Sequence, residues 1–129
     1  MAAAAAVAWP AEACGLLLGR RKEDGVTIDA FRPTGNDALD ARRGYLVPPL
    51  DLLAADREAH AAGREIVGIW HSHPDAPALP SRRDVEEAFE GYSYGIHAAS
   101  REGAGELRFF ELVDGAFGER CWRVKTEAQ

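Results

Sequence analysis

Residues 66–84, I-V-G-I-W-H-S-H-P-D-A-P-A-L-P-S-R-R-D, constrain this chain more than any other stretch. Ile66 to Trp70 is apolar except for one glycine, the pattern of a strand buried on both faces in the middle of a sheet. His71 and His73 follow it at i and i+2. Side chains alternate along a strand, so both imidazoles leave the same face and can reach one ion at about 2.0–2.1 Å. The carboxyl end of a central strand is also where open sheets tend to place their sites. Pro74, Pro77 and Pro80 then forbid a helix until Ser81. The spacing of Val85, Ala88 and Phe89 predicts a helix from there, ending at Gly91.

The rest of the chain supplies elements around that strand. Residues 2–14 are alanine-rich and read as a short helix that Pro10 bends or resets. Gly15 to Gly19 (G-L-L-L-G) reads as a short, fully buried strand, and Val26 to Phe31 alternates as a half-buried one. Residues 32–44 have loop composition, and Tyr45 to Val47 reads as a further short strand. Leu50, Leu53, Ala54 and Ala61 give a helical spacing over Leu50 to Ala62, with Gly63 as its stop signal. Three strands follow the second helix: Tyr92–Ala99, Leu107–Val113 and Phe117–Val124, the last two joined by a strong Asp114-Gly115 hairpin signal. Helices and strands alternate early and an antiparallel meander closes the chain. That order predicts one α/β domain with a mixed sheet flanked by helices, spanning residues 1–129.

Composition narrows the function. A chain of 129 residues, 47% hydrophobic and 28% charged, is one soluble globular domain with a real core. The formal charge is −6, and the 15 Lys and Arg residues are scattered singly or in pairs. No concentrated basic face is present to neutralise phosphates, which argues against nucleic acid and an anionic membrane surface as partners. Cys14 and Cys121 lie far apart in apolar surroundings and form no C-x-x-C pair, so they read as reduced core thiols. The start, M-A-A-A-A-A-V-A-W-P, lacks a positive charge and its apolar run is cut short by Glu12, unlike a signal peptide. No run is long enough to span a membrane, and the expected location is cytoplasmic.

A His-x-His alone is often an exposed pair at a strand end. A third donor must come from elsewhere, and Asp84, in the first turn of the helix after a proline-stiffened loop, is the best candidate. Ser81-x-x-Asp84 is also a capping-box pattern, sufficient by itself to explain either residue. Capping does not explain why a rigid loop links that helix start to two histidines. Two imidazoles and one carboxylate leave a fourth position for water, as catalytic zinc sites do. A metal-activated water needs a general base as well, because the ion lowers its pKa but does not shuttle protons. Glu12, in the apolar setting P-A-E-A-C-G-L-L-L-G, is the outstanding candidate; read alone, it could equally be a solvated glutamate at a helix end.

A glutamate before G-L-L-L-G, followed downstream by H-S-H-P, six residues, and S-x-x-D, resembles the JAMM (MPN+) metalloprotease family. The spacing from His71 through His73 and Ser81 to Asp84 agrees with that family's signature at every position. The similarity runs from about Pro10 to about Gly118, including N-D-A at Asn36 and Y-x-Y-x-I from Tyr92, and is closest to small stand-alone prokaryotic members. The resemblance implies zinc on His71, His73 and Asp84, with Glu12 as general base and Ser81 hydrogen-bonding the developing oxyanion. It implies a three-layer α/β fold related to the cytidine deaminases. Its implied activity is hydrolysis of a peptide or isopeptide bond at the C-terminal Gly-Gly tail of a ubiquitin-like sulfur-carrier protein. Family members usually carry a strand and a longer helix before the glutamate, and only eleven residues precede Glu12 here. Edge packing is then incomplete or completed by a partner chain, which leaves room for a homodimer. The short segments at 20–44 and after His73 argue against the long insertions used to grip ubiquitin chains.

Two other classes compete. Two histidines and a carboxylate also form the facial triad of non-haem iron enzymes, but those usually set one histidine close to the acid and bring the other from afar. A non-catalytic MPN-type interaction module is the other rival, and such modules lack the ligands that this chain retains. His60 and His97 read as surface or locally bonded histidines, and Trp70 as core packing.

Overall fold

A computed structural model describes residues 1–120. Its elements run α1 (Ala2–Ala8), β1 (Cys14–Lys22), β2 (Gly25–Thr34), α2 (Pro49–Ala61), β3 (Glu65–Pro74), α3 (Arg82–Glu87), β4 (Ser93–Ser100), β5 (Gly103–Val113) and β6 (Ala116–Arg120). The strands form one mixed sheet in the order β2-β1-β3-β4-β5-β6. The β3–β4 pair is parallel and every other neighbouring pair is antiparallel. A parallel pair needs a crossover connection, and the one between β3 and β4 carries α3.

Alternation along β1 builds the core on both faces. Leu17 packs on one side with Val67, Trp70 and Ala5 of α1. Leu16 and Leu18 pack on the other with Ile66 and with Ala55 and Ala59 of α2. The result is the expected three-layer arrangement, helix on sheet on helix. The short segment before Glu12 is therefore a packed helix, with Ala5 fully buried. Among the described residues no helix is long and apolar enough to cross a membrane.

Several boundaries differ from the sequence reading, each for a local reason. α1 stops at Ala8, ahead of Pro10. Tyr45 to Val47 is not a strand; the Leu46 N–H donates to the Asn36 side chain, and the Leu46 carbonyl accepts from the Asp37 N–H. The buried face of α2 is Ala55 and Ala59, whereas Leu50 and Leu53 are 79% and 47% exposed. Small residues let this helix lie close to the bulky β1 and β3 side chains. α3 ends at Glu87 rather than Gly91 and buries none of its residues. Past it, the backbone N–H of Phe89 donates to the Tyr94 hydroxyl, so the chain leaves the helix and Phe89 stays 66% exposed. The end of the Phe117–Val124 strand and Cys121 lie outside the described residues. Cys14 is buried and free, as expected.

His97 takes the second of its two expected settings, that of a locally bonded histidine. It is 5% exposed rather than at the surface, and meets Trp70 edge-to-face at 5.8 Å between centroids. Burial lowers its pKa, opposed by a hydrogen bond with the Gly105 backbone. His60 is exposed on α2, and Trp70 is fully buried core.

Candidate metal centre

The histidines are not beyond the strand but inside its last turns of pleat. β3 continues to Pro74, pairing His71 with Ile96 and His73 with Ala98 of β4. This ladder fixes both side chains on one face. Their Nε2 atoms lie 3.0 Å apart. Asp84 reaches them from α3: its Oδ1 is 3.2 Å from His71 Nε2 and its Oδ2 is 3.0 Å from His73 Nε2. One ligand atom from each residue falls within 4.8 Å of the others.

Asp84 caps α3 and at the same time faces the two histidines. Its Oδ2 accepts from the Ser81 N–H at 2.8 Å, and its own N–H donates to Ser81 Oγ at 3.0 Å. This reciprocal capping box starts α3 and thereby aims the carboxylate at the histidines. Ser81 Oγ accepts in that exchange, and its O–H has no acceptor among the described residues.

The protonation pattern shows that a cation fits. His73 Nδ1 lies 3.1 Å from the Pro77 carbonyl, which can only accept, so Nδ1 carries the hydrogen. In the neutral ring Nε2 then presents a lone pair, facing a second imidazole nitrogen and a carboxylate. Converging acceptors repel unless a proton or a metal ion sits between them. Burial lowers the pKa of His73, but its hydrogen bond to Asp84 and that residue's charge outweigh burial and raise it. Burial would raise the pKa of Asp84, yet hydrogen bonds from His71 and His73 hold it far below the usual carboxylate range. For His71 burial dominates and lowers the pKa, keeping the ring neutral and available as a donor. The set of two imidazole nitrogens and one carboxylate suits zinc with one position left open.

Glu12 lies just ahead of β1 and lines the same cavity, of about 230 Å³, as His73, Asp84 and Ser81. It is buried to 9% exposure, which removes the reading as a solvated helix-end residue. Burial raises its pKa from 4.5 to about 7, with His73 lowering it, Asp84 raising it and Arg83 lowering it. The backbone on both sides is clamped. The Glu12 N–H donates to the Ala41 carbonyl at 2.6 Å. Next to it, the Ala13 N–H donates to Ser72 Oγ at 2.8 Å, and the Ser72 N–H returns to the Ala13 carbonyl at 3.0 Å. Ser72, the middle residue of H-S-H, thus ties the glutamate segment to the strand that carries the histidines.

Two further residues had no assigned role in the sequence. Tyr45 stacks on His71 at 4.5 Å between centroids with a 21° tilt, and burial pushes its phenol pKa up. Asn36 uses its whole amide. Nδ2 donates to the Glu12 carbonyl at 2.9 Å and the Gly44 carbonyl at 3.1 Å. Oδ1 accepts from Ala38 and Leu46 N–H groups, both at 3.0 Å. An Asn36→Asp change keeps the shape but removes both donors and sets a negative charge against two carbonyls. The expected loss is about 1–3 kcal/mol for each carbonyl left unpaired, seen as a lower urea midpoint with an unchanged slope. A wild-type midpoint would contradict the assigned role.

Residues 1–113 match the family model described as prokaryotic homologs of the JAB domain. The chain belongs to this family, the small prokaryotic branch of the JAMM proteins that its motif resembles. It is similar to a desampylase from Haloferax volcanii, 38% identical over 88 residues, covering 67% of this chain and 62% of the relative. It is also 37% identical over 106 residues to a probable TtuB-protein conjugate cleaving protease from Thermus thermophilus, covering 82% and 65%. The chain thus spans less than two thirds of the length of these relatives. A solved structure of a protein from Desulfitobacterium hafniense superposes with a TM-score of 0.80 at 32% identity, covering 93% of this chain and 82% of that one.

Proposed function

We propose that this chain is a zinc metallopeptidase that hydrolyses a peptide or isopeptide bond at the C-terminal Gly-Gly tail of a ubiquitin-like sulfur-carrier protein. The observation that carries the reading is the convergence of His71, His73 and Asp84, with His73 and Asp84 lining one cavity with the buried carboxyl of Glu12. Zinc on those three residues would polarise the scissile carbonyl and lower the pKa of a water towards about 7. Glu12 takes the proton from the attacking water and delivers it to the leaving nitrogen. The new C–O bond forms first, the C–N bond breaks once the nitrogen is protonated, and no other co-reactant is needed. The Ser81 hydroxyl, free to donate, bonds the oxyanion as charge develops. Pro77 and Tyr45 hold the two imidazoles in place through the step. The substrate class follows from the family resemblance and from relatives named for cleaving such conjugates.

Offering a Gly-Gly-terminated carrier with a C-terminal extension, and following products by mass spectrometry, tests this directly. Cleavage after the second glycine, abolished by chelation and restored by zinc, is the expected result. An intact extension under zinc-loaded conditions would contradict it.

A further inference from the structure

The two histidines are held differently. His73 Nδ1 lies 3.1 Å from the Pro77 carbonyl, so one hydrogen bond fixes both its ring plane and its tautomer. His71 is 1% exposed, and its Nδ1 is buried with no hydrogen-bond partner among the described residues. A histidine that ligates a metal through one ring nitrogen almost always donates from the other to a carbonyl, carboxylate or water, and that bond orients the ring. His71 has no such protein partner, yet its Nε2 stands 3.0 Å from His73 Nε2 and 3.2 Å from Asp84 Oδ1. Pairing with Ile96 of β4 places its backbone. The terminal torsion of an imidazole is broad, so something else must choose the ring plane.

Tyr45 lies where that choice is made. Its ring covers the His71 ring at 4.5 Å between centroids and 21° from parallel. Turning the imidazole about its terminal torsion would drive it into the phenol ring. The loop that carries Tyr45 is itself gripped by one side chain. Asn36 Oδ1 accepts from the Leu46 N–H at 3.0 Å, and its Nδ2 donates to the Gly44 carbonyl at 3.1 Å, so the chain is held on both sides of Tyr45. The same Nδ2 donates to the Glu12 carbonyl at 2.9 Å. One amide therefore sets both the ring over a metal ligand and the backbone of the general base.

Resting on the metal site described above, we propose that Tyr45 is the positioning residue for His71, its stacked ring taking the place of a hydrogen bond to Nδ1. The tightness with which the site holds zinc then depends on that ring. When the Nε2 lone pair of the neutral imidazole serves as the ligand, the ring hydrogen sits on Nδ1. A planar contact holds the ring whichever nitrogen carries that hydrogen, whereas the Pro77 carbonyl holds His73 in one tautomer only.

The test measures zinc affinity by calorimetry and, separately, the urea midpoint of the metal-free protein in wild type, Tyr45→Phe and Tyr45→Leu. Phenylalanine keeps the ring, while leucine keeps apolar bulk and loses the plane. Tyr45→Phe should bind zinc as wild type does, and Tyr45→Leu about 10–100-fold more weakly, the range for groups that orient metal ligands. A residue that only packed would lower the midpoint and leave the affinity of the folded chain intact. If Tyr45→Leu does not fold without metal, Tyr45→Met is titrated in its place. Wild-type affinity in the folded variant without the ring, or an equal loss in Tyr45→Phe, overturns the role of the ring and leaves the metal site standing. A wild type that binds no zinc overturns the metal site and this inference together.

Discussion

Replacing Glu12 by glutamine should reduce turnover of an extended carrier by about 10²–10⁴-fold, the range for loss of a positioned general base, while zinc binding survives. Glutamine preserves the volume of a side chain buried to 9% exposure and the backbone clamps from Ala41 and Asn36, so the loss reports proton transfer rather than collapse of the site. The pH dependence should change with it. Burial lifts the Glu12 carboxyl from 4.5 to about 7 in the metal-free protein, with smaller opposing influences from His73 and Arg83. A divalent cation nearby pulls that value down, so kcat/KM should rise with pH along a limb centred at or below about 7. That limb should vanish in Glu12→Gln. Linkage gives a second readout. A carboxyl whose pKa is raised on folding favours the protonated native state, so its stabilising contribution is complete below 4.5 and is lost as pH rises through about 7. The metal-free wild type should therefore lose stability relative to metal-free Glu12→Gln over that window. Parallel stability curves, or wild-type turnover in the variant, would remove Glu12 from the mechanism.

The Asp84→Asn variant should lose activity by more than about 100-fold, since even the groups that merely orient metal ligands contribute 10–100-fold. An amide oxygen at this position can still accept from the Ser81 N–H, so the cap on α3 survives in kind. What disappears is the negative charge facing two imidazoles at 3.0 and 3.2 Å. The wild-type melting temperature should fall on chelation, because a ligand that binds only the folded state stabilises it by mass action. The same chelator should leave Asp84→Asn unmoved. A variant with near-normal cleavage would mean that Asp84 is a helix cap and nothing more.

Much of the site could be read from the chain because its chemistry is local. His71 and His73 are two residues apart on a strand whose apolar run announces its burial, and period-2 geometry does the rest. Asp84 is three residues from its own cap, so the pattern that starts the helix also aims the carboxylate. Glu12 stood out as a charge in an apolar stretch. The supporting contacts were not legible because they join distant segments through groups with ordinary local uses. Asn36 reads as a turn residue, and nothing nearby in sequence shows that its amide reaches Glu12 and Gly44. Tyr45 reads as strand, yet its ring stacks on His71. Periodicity likewise picked out Leu50, Leu53, Ala54 and Ala61 in α2, because it sees spacing and not the surface the helix meets. The sheet instead accepted Ala55 and Ala59, because close approach between a helix and bulky strand residues favours small side chains.

The most direct measurement is calorimetric titration of the metal-free protein with zinc, on wild type, Glu12→Gln and His71→Ala side by side. One tight site per chain in wild type and Glu12→Gln, lost in His71→Ala, is the predicted result. No zinc site in wild type, or a site that persists without His71, would contradict the metal centre on which the reading rests.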